Sequence, residues 1–278
     1  MSLSILPPKS DFVFKLIFGD QRNTDILAAF LQSILDLPVS EYETLTIIDP
    51  HLKREKRNDK LGILDVKIHT KSGKIIDVEI QVDDDTPMEE RILYYVSKMV
   101  PQQIGKGNDY AVIKRVINVV ITDFILIHDS KLYHNTYRLY DEKSCSRFTD
   151  LLEIHTLELP KLPGKNDKTA LWNWLQFFRS NKEEELSMLA KKSPQIKKAV
   201  GVLMELSADE RTRLLYEERE KIRMDHSAGM RYVEQRGWNA GKLEGETNIA
   251  RNLLKMNLPF DDIAAATGLS RSEIEKLQ

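Results

Sequence analysis

The sequence predicts a layered domain of α/β or α+β type, a hairpin-rich sheet with flanking helices, followed by an all-α C-terminal region. Three observations carry this expectation. Two neighbouring segments, Gly62-Ile-Leu-Asp65-Val-Lys-Ile-His and Lys74-Ile-Ile-Asp-Val-Glu79-Ile-Gln81-Val, alternate polar and apolar residues across the turn signal Lys71-Ser-Gly-Lys. Apolar residues at helical spacing lie on both sides of that pair. From Asp167 onward only helical patterns appear.

In chain order, Pro7-Pro8 precede Asp11, a helix cap or first-turn acid, and Phe12, Phe14, Leu16, Ile17 and Phe18 predict a short buried helix stopped by Gly19. A second helix is expected over about 23–35, ended by Pro38, and a strand over 44–48. The polar run 51–60 carries Lys53, Arg54, Lys56 and Arg57 into the strand pair. After the acidic loop Asp83-Asp84-Asp85, a helix is expected over 88–104, with Arg91, Tyr95 and Lys98 on one face. One long or two shorter strands follow in 112–127, and a polar strand over 133–140. The expected order is helix, helix, three strands, helix, two strands, ending near Pro163.

Leu171, Trp172, Trp174, Leu175, Phe177 and Phe178 read as core of the helical part, and 207–223 as a solvated helix. Gly229, Gly237, Gly241 and Gly245 recur at multiples of four, as one helical face open to close approach or as a flexible linker. At the end, Gly268 and a capping box of Ser270 with Glu273 suggest a helix-turn-helix. Its last helix sets Arg271 and Lys276 against Glu273 and Glu275, a poor match for phosphates that favours a structural or oligomerising role. The expected organisation is 1–165, a sheet-containing domain; 166–225, a helical region; and 226–278, a glycine-repeat helix with a helix-turn-helix-like module.

Composition narrows the function. A chain of 278 residues with 41% hydrophobic content supports a full core plus an accessory module. A formal net charge of -2 restricts any nucleic-acid contact to a local basic patch, and the Lys53, Arg54, Lys56, Arg57 run is the candidate. A single cysteine, Cys145, excludes a disulfide framework and multi-cysteine zinc sites and fits a reducing cytosol. The N-terminus lacks the features of a secretion signal, and the apolar stretch 116–127 is too short and too polar to span a bilayer. A soluble, cytoplasmic protein without membrane partners is therefore expected. No HExxH pair, GxSxG elbow or GxxxxGK[ST] loop is present, which leaves no basis for a serine hydrolase or a nucleotide cofactor.

The chemistry lies in the strand pair. Alternation puts Val78, Ile80 and Val82 on a core face and Asp77, Glu79 and Gln81 opposite them, and a hairpin lets Asp65 approach Glu79. Two converging carboxylates form a hard-oxygen site suited to Mg²⁺. Asp77 reads as an acid supporting the metal ligands or, more simply, as an exposed strand residue, and the acidic loop as solvated.

Asp65, the turn and Glu79-Ile80-Gln81 resemble the PD-(D/E)XK nuclease motif. The wider pattern resembles the Rpn family of recombination-promoting nucleases, often labelled transposases. It comprises Asp11-Phe-Val-Phe-Lys15-Leu-Ile-Phe, Arg91-Ile-Leu-Tyr-Tyr95, the glycine repeats and Ile263-Ala-Ala-Ala-Thr-Gly-Leu-Ser270. The resemblance implies a restriction-endonuclease-like mixed sheet flanked by helices. It also implies a Mg²⁺- or Mn²⁺-dependent DNA endonuclease linked to recombination or mobile elements. Asp65, Glu79 and the Ile80 carbonyl would hold the ion, Asp11 would add an early acid, and Arg91 and Tyr95 would contact phosphate. Gln81 would take the lysine position, where an amide can orient water but supplies no charge; a second metal or Lys67 would then share the work. The alternative is a catalytically inactive DNA- or protein-binding module. In either reading the C-terminal helices serve homo-oligomerisation.

Overall fold

The structure, a computed structural model, describes residues 4–51, 65–84 and 86–277. It divides into two compact units, Met1–Tyr216 and Glu217–Gln278. Lys53, Arg54, Lys56 and Arg57 lie outside the described residues.

The first unit opens with α1 (Asp11–Phe18) and α2 (Thr24–Gln32). Asp11 is the first-turn acid of α1, and the helix stops at Gly19, where a Cβ would lie 2.6 Å from the Lys15 carbonyl oxygen. The strands are β1 (Thr46–Ile48), β2 (Val66–His69), β3 (Ile75–Gln81), β4 (Val116–Thr122), β5 (His134–Tyr140) and β6 (Arg147–Glu158), with α3 (Met88–Met99) between β3 and β4. Among the described residues they form one six-stranded sheet in the order β1-β2-β3-β4-β6-β5. β3, β4 and β6 pair in parallel, while β1–β2, β2–β3 and β5–β6 are antiparallel. The mixed sheet follows from the connections: β2 and β3 share a tight turn, whereas β3 reaches β4 through a helical crossover. The restriction-endonuclease-like mixed sheet flanked by helices is thus borne out.

Helices cover both faces of the sheet. On one side Ile68, Val78, Ile80, Val119 and Ile121 pack with α1, α2, α4 (Ala170–Arg179), α5 (Glu183–Ala190) and α6 (Pro194–Ala208). On the other, Ile75, Val116 and Val120 pack against Met88, Ile92, Tyr95, Val96 and Met99 of α3. Such double coverage is usual for parallel strands. The helical segment expected to be a separate region from residue 166 instead shares the first core: Phe18 meets Phe30, Trp174 and Phe178 at ring-centroid distances of 5.6, 6.0 and 5.5 Å. These aromatics are core, as their spacing suggested.

Two elements, the end of α3 and β6, differ from expectation, and region 112–127 settles between its two alternatives. α3 ends at Met99 because Pro101 opens a 3-10 turn, not at 104. Region 112–127 yields one strand, since Leu126 and Ile127 turn their N–H groups to the Glu158 carboxylate at 2.9 and 3.2 Å. β6 was absent from the expected order because its charges break the apolar pattern. Those charges are compensated by both distant and nearby residues. Glu153 is buried against Arg115 and Arg138, with His155 Nε2 at 2.8 Å, and Glu158 pairs with Lys161 at 2.8 Å. Burial alone would raise the Glu153 pKa, but hydrogen bonds from His155 and Arg138 hold it at about 2.

The second unit contains most of α7 (Glu210–Lys255), then α8 (Phe260–Thr267) and α9 (Arg271–Glu275), around a small core of Ala250, Ile263, Leu269 and Ile274. Gly268 closes α8 at φ +76°, a left-handed value that favours glycine, and the capping box of Ser270 and Glu273 forms as expected. Gly229, Gly237, Gly241 and Gly245 are helical residues of α7 with open space around each. Among the described residues no helix is long and apolar enough to cross a membrane.

Because Phe18 is fully buried where α1, α2 and α4 meet, Phe18→Ala should cost about 3–5 kcal/mol in denaturant unfolding. The same loss should appear whether unfolding is followed through Trp174 fluorescence or through backbone circular dichroism, since one core joins these helices.

Candidate active site

The pairing Val66↔Val78 and Lys67↔Asp77, carried one residue further, puts Asp65 opposite Glu79. The expected approach of the two acids therefore occurs. Asp65 Oδ2 accepts the Ile80 N–H at 2.9 Å, which fixes the carboxylate against the edge of β3. The Ile80 carbonyl faces that same edge, because the N–H and C=O of one strand residue point the same way. Asp65 Oδ1 is 2.9 Å from Lys15 Nζ, and Lys15 lies 3.8 Å from Asp11 Oδ2. Glu79 is met from the other layer by Arg91 Nη2 at 3.7 Å, and the Arg91 guanidinium sits over the Tyr95 ring, 5.4 Å from its centroid.

The polar face of β3 is not open to water as its alternation implied. α3 covers it, leaving Glu79 1% and Asp77 0% exposed. Asp77, expected at the surface, is buried and accepts the Asn118 side-chain N–H at 2.7 Å. Burial pushes Glu79 up to about 7, against the pull of Arg91 and with a further push from the Asp65 charge. Asp65 is likewise raised by burial, although Lys15 and the Ile80 N–H oppose it. Asp77 is raised well above the ordinary range by burial and by its two acidic neighbours.

The remaining sequence-derived positions are distributed unevenly. Asp11 is half exposed and accepts the Phe12 N–H at 2.7 Å, so it reaches Asp65 only through Lys15. Gln81 is half-buried at the end of β3, its carbonyl accepting from the Asp123 N–H at 2.9 Å. Lys67 is buried, with Asp77 opposite it in register. Lys98 leaves the Arg91–Tyr95 face and bonds the Tyr94 hydroxyl at 3.1 Å. Lys15 and Asn118 received no role from sequence. For Lys15 the available signal was a cation one turn after Asp11 within an otherwise apolar helix.

The donor set fits a hard divalent ion. Both Glu79 carboxylate oxygens and Asp77 Oδ1 are buried without a hydrogen-bond partner among the described residues, a state that is costly unless positive charge arrives. Among the described residues no group of three or more His, Cys, Asp or Glu could hold a metal. Asp65 and Glu79 with the Ile80 carbonyl thus form a sparse set, of the kind Mg²⁺ completes with waters and phosphate oxygens.

The chain thus contains a mixed α/β domain with two opposed acids at the end of a central strand. A family model described as PD-(D/E)XK nuclease family transposase matches residues 8–233, and the chain belongs to that family. The resemblance read from the residues is thereby borne out, and it assigns the domain a nuclease or transposase-like role. No match was found among curated proteins or among solved structures.

The raised Glu79 pKa makes stability depend on pH. The native state keeps this proton after the unfolded chain has released it, so stability falls as pH rises from about 4.5 to about 7. Without divalent ions, Glu79→Gln should be more stable than wild type at pH 8, by roughly 1–3 kcal/mol. Thermal melts across pH should show the difference shrinking towards pH 5.

Proposed function

We propose that this chain is a Mg²⁺-dependent DNA endonuclease, with Mn²⁺ as an alternative ion, acting in recombination or element mobility. The observation that carries the reading is the meeting of Asp65 and Glu79 at the end of β3, both buried and raised in pKa, with both Glu79 carboxylate oxygens lacking a hydrogen-bond partner among the described residues. Asp65, Glu79 and the Ile80 carbonyl would hold the ion. When bound, such an ion polarises a phosphate oxygen and lowers the pKa of a bound water. Water would then add to phosphorus as the P–O bond to one sugar breaks; the departing oxygen gains a proton and the attacking water gives one to solvent.

The remaining residues take the following proposed parts. Arg91, fixed over Tyr95, would take a phosphate oxygen, and Gln81 would orient water by its amide. Asp11 would act through Lys15. Lys53, Arg54, Lys56 and Arg57 would recruit the DNA backbone without reading its sequence. The exposed apolar residues of α7, among them Tyr232, Val233 and Trp238, suit a homo-oligomer built through the C-terminal helices. The low cysteine content favours a cytoplasmic setting. One observation favours the inactive binding module instead: the Lys15 ammonium already neutralises Asp65, beside a neutral Gln81.

Plasmid nicking with Mg²⁺ distinguishes the two readings. Wild type should nick, and Asp65→Ala should lose about a hundredfold or more, because several kcal/mol of charge stabilisation leaves with the ion. Undiminished cleavage by the variant would remove the site assignment, and an inactive wild type under several divalent ions would favour the binding module. Separately, neutralising Lys53, Arg54, Lys56 and Arg57 together should flatten the salt dependence of DNA binding by roughly one unit of slope per lost phosphate contact. An unchanged slope would exclude them from the interface.

A further inference from the structure

Hydrolysis of a phosphodiester builds negative charge on the phosphoryl oxygens, and charges placed beforehand where it develops do the most to lower the barrier. At the end of β3 the position after Ile80 is Gln81, which carries none. Arg91 is committed to Glu79 at 3.7 Å and stacked on Tyr95, so it serves one flank of the site, from the α3 layer. The opposite flank is served by α1. Lys15 Nζ lies 2.9 Å from Asp65 Oδ1, and its side chain is 35% exposed where that of Asp65 is 8%. Lys15 is therefore the more solvent-exposed member of the pair, and Asp65 the buried one.

Its mounting suits the task. Phe12, Val13, Phe14, Ile17 and Phe18 anchor α1 in the core, so the helix is held while the four-carbon stem of Lys15 keeps its freedom. Asp11, one turn earlier and 3.8 Å away, offers the ammonium a second carboxylate nearer the surface. A short displacement of the stem keeps the charge compensated throughout. Lys67, the other lysine of the neighbourhood, is buried opposite Asp77, two residue pairs further along the strands.

We propose that Lys15 is a further catalytic residue: its ammonium, paired with Asp65, would shift to a non-bridging oxygen of the scissile phosphate when ion and DNA bind. The inference rests on the nuclease reading above. Lys15 stays protonated throughout and forms no covalent bond. It contributes charge to the phosphoryl group as water adds and the P–O bond breaks, and Asp11 acts as its positioning residue.

Lys15 as a placeholder on Asp65 competes with a divalent ion, and Lys15 as a catalyst assists cleavage, so its removal separates binding from rate. For wild type, Lys15→Gln and Lys15→Arg, Mn²⁺ affinity would be measured by electron paramagnetic resonance and single-turnover nicking on one plasmid. Lys15→Gln should bind Mn²⁺ as tightly as wild type or several-fold tighter, yet nick about tenfold or more slowly. Lys15→Arg, which keeps the charge, should recover part of the rate. Weakened Mn²⁺ binding in Lys15→Gln would show that Lys15 merely supports Asp65 and would overturn the proposal, as would no recovery in Lys15→Arg. Lys15→Gln nicking at the wild-type rate would overturn it while the nuclease reading stood. Absence of nicking by wild type would overturn both.

Discussion

The burial of the acidic face of β3 beneath α3 is the constraint on which the rest of the structure depends. Parallel pairing with β4 places β3 near the middle of the sheet, where both faces are covered. Asp77 and Glu79 go under with it, and ionised carboxylates in such a place demand either protons or nearby cations. The raised pKa values of Asp65, Asp77 and Glu79 express that demand. Apolar residues in their place would relieve that demand, so stability alone does not account for these acids.

The molecule meets the demand from two layers at once. α1 brings Lys15 to Asp65, α3 brings Arg91 to Glu79, and Asn118 on β4 bonds Asp77. Each donor is held by apolar neighbours on its own element, so the two cores on opposite faces of the sheet fix the two sides of the pocket. Compensation is incomplete, because Glu79 keeps both oxygens without a hydrogen bond among the described residues. This remaining polarity matches what a divalent ion with its waters provides.

A second buried acid follows the opposite rule. Glu153 on β6 is also shielded from solvent, yet hydrogen bonds from His155 and Arg138 and the charge of Arg115 bring its pKa down to about 2 against the effect of burial. Two buried glutamates in one sheet thus differ in pairing: Glu153 has partners on both carboxylate oxygens, whereas neither Glu79 oxygen has a hydrogen-bond partner among the described residues. The contrast depends on partners from three strand regions and could not be read along the chain.

Local periodicity and chemistry made much of the molecule legible in the amino-acid order. Alternation placed Val78 and Ile80 on the core face and Glu79 opposite, the turn after Lys71 brought Asp65 to Glu79, and Ser270 with Glu273 marked the last helix. All of these involve residues close in sequence, whose geometry is dictated by strand parity, turn residues or helix caps. β6, the burial of Asp77, the shared core of α1 and α4, and the Lys15–Asp65 pair were decided by the tertiary structure. In each of these, a charged or aromatic side chain takes its meaning from a partner far along the chain. The sequence by itself chose the acids; three-dimensional packing decided that they would be dry, and which cations would stand beside them.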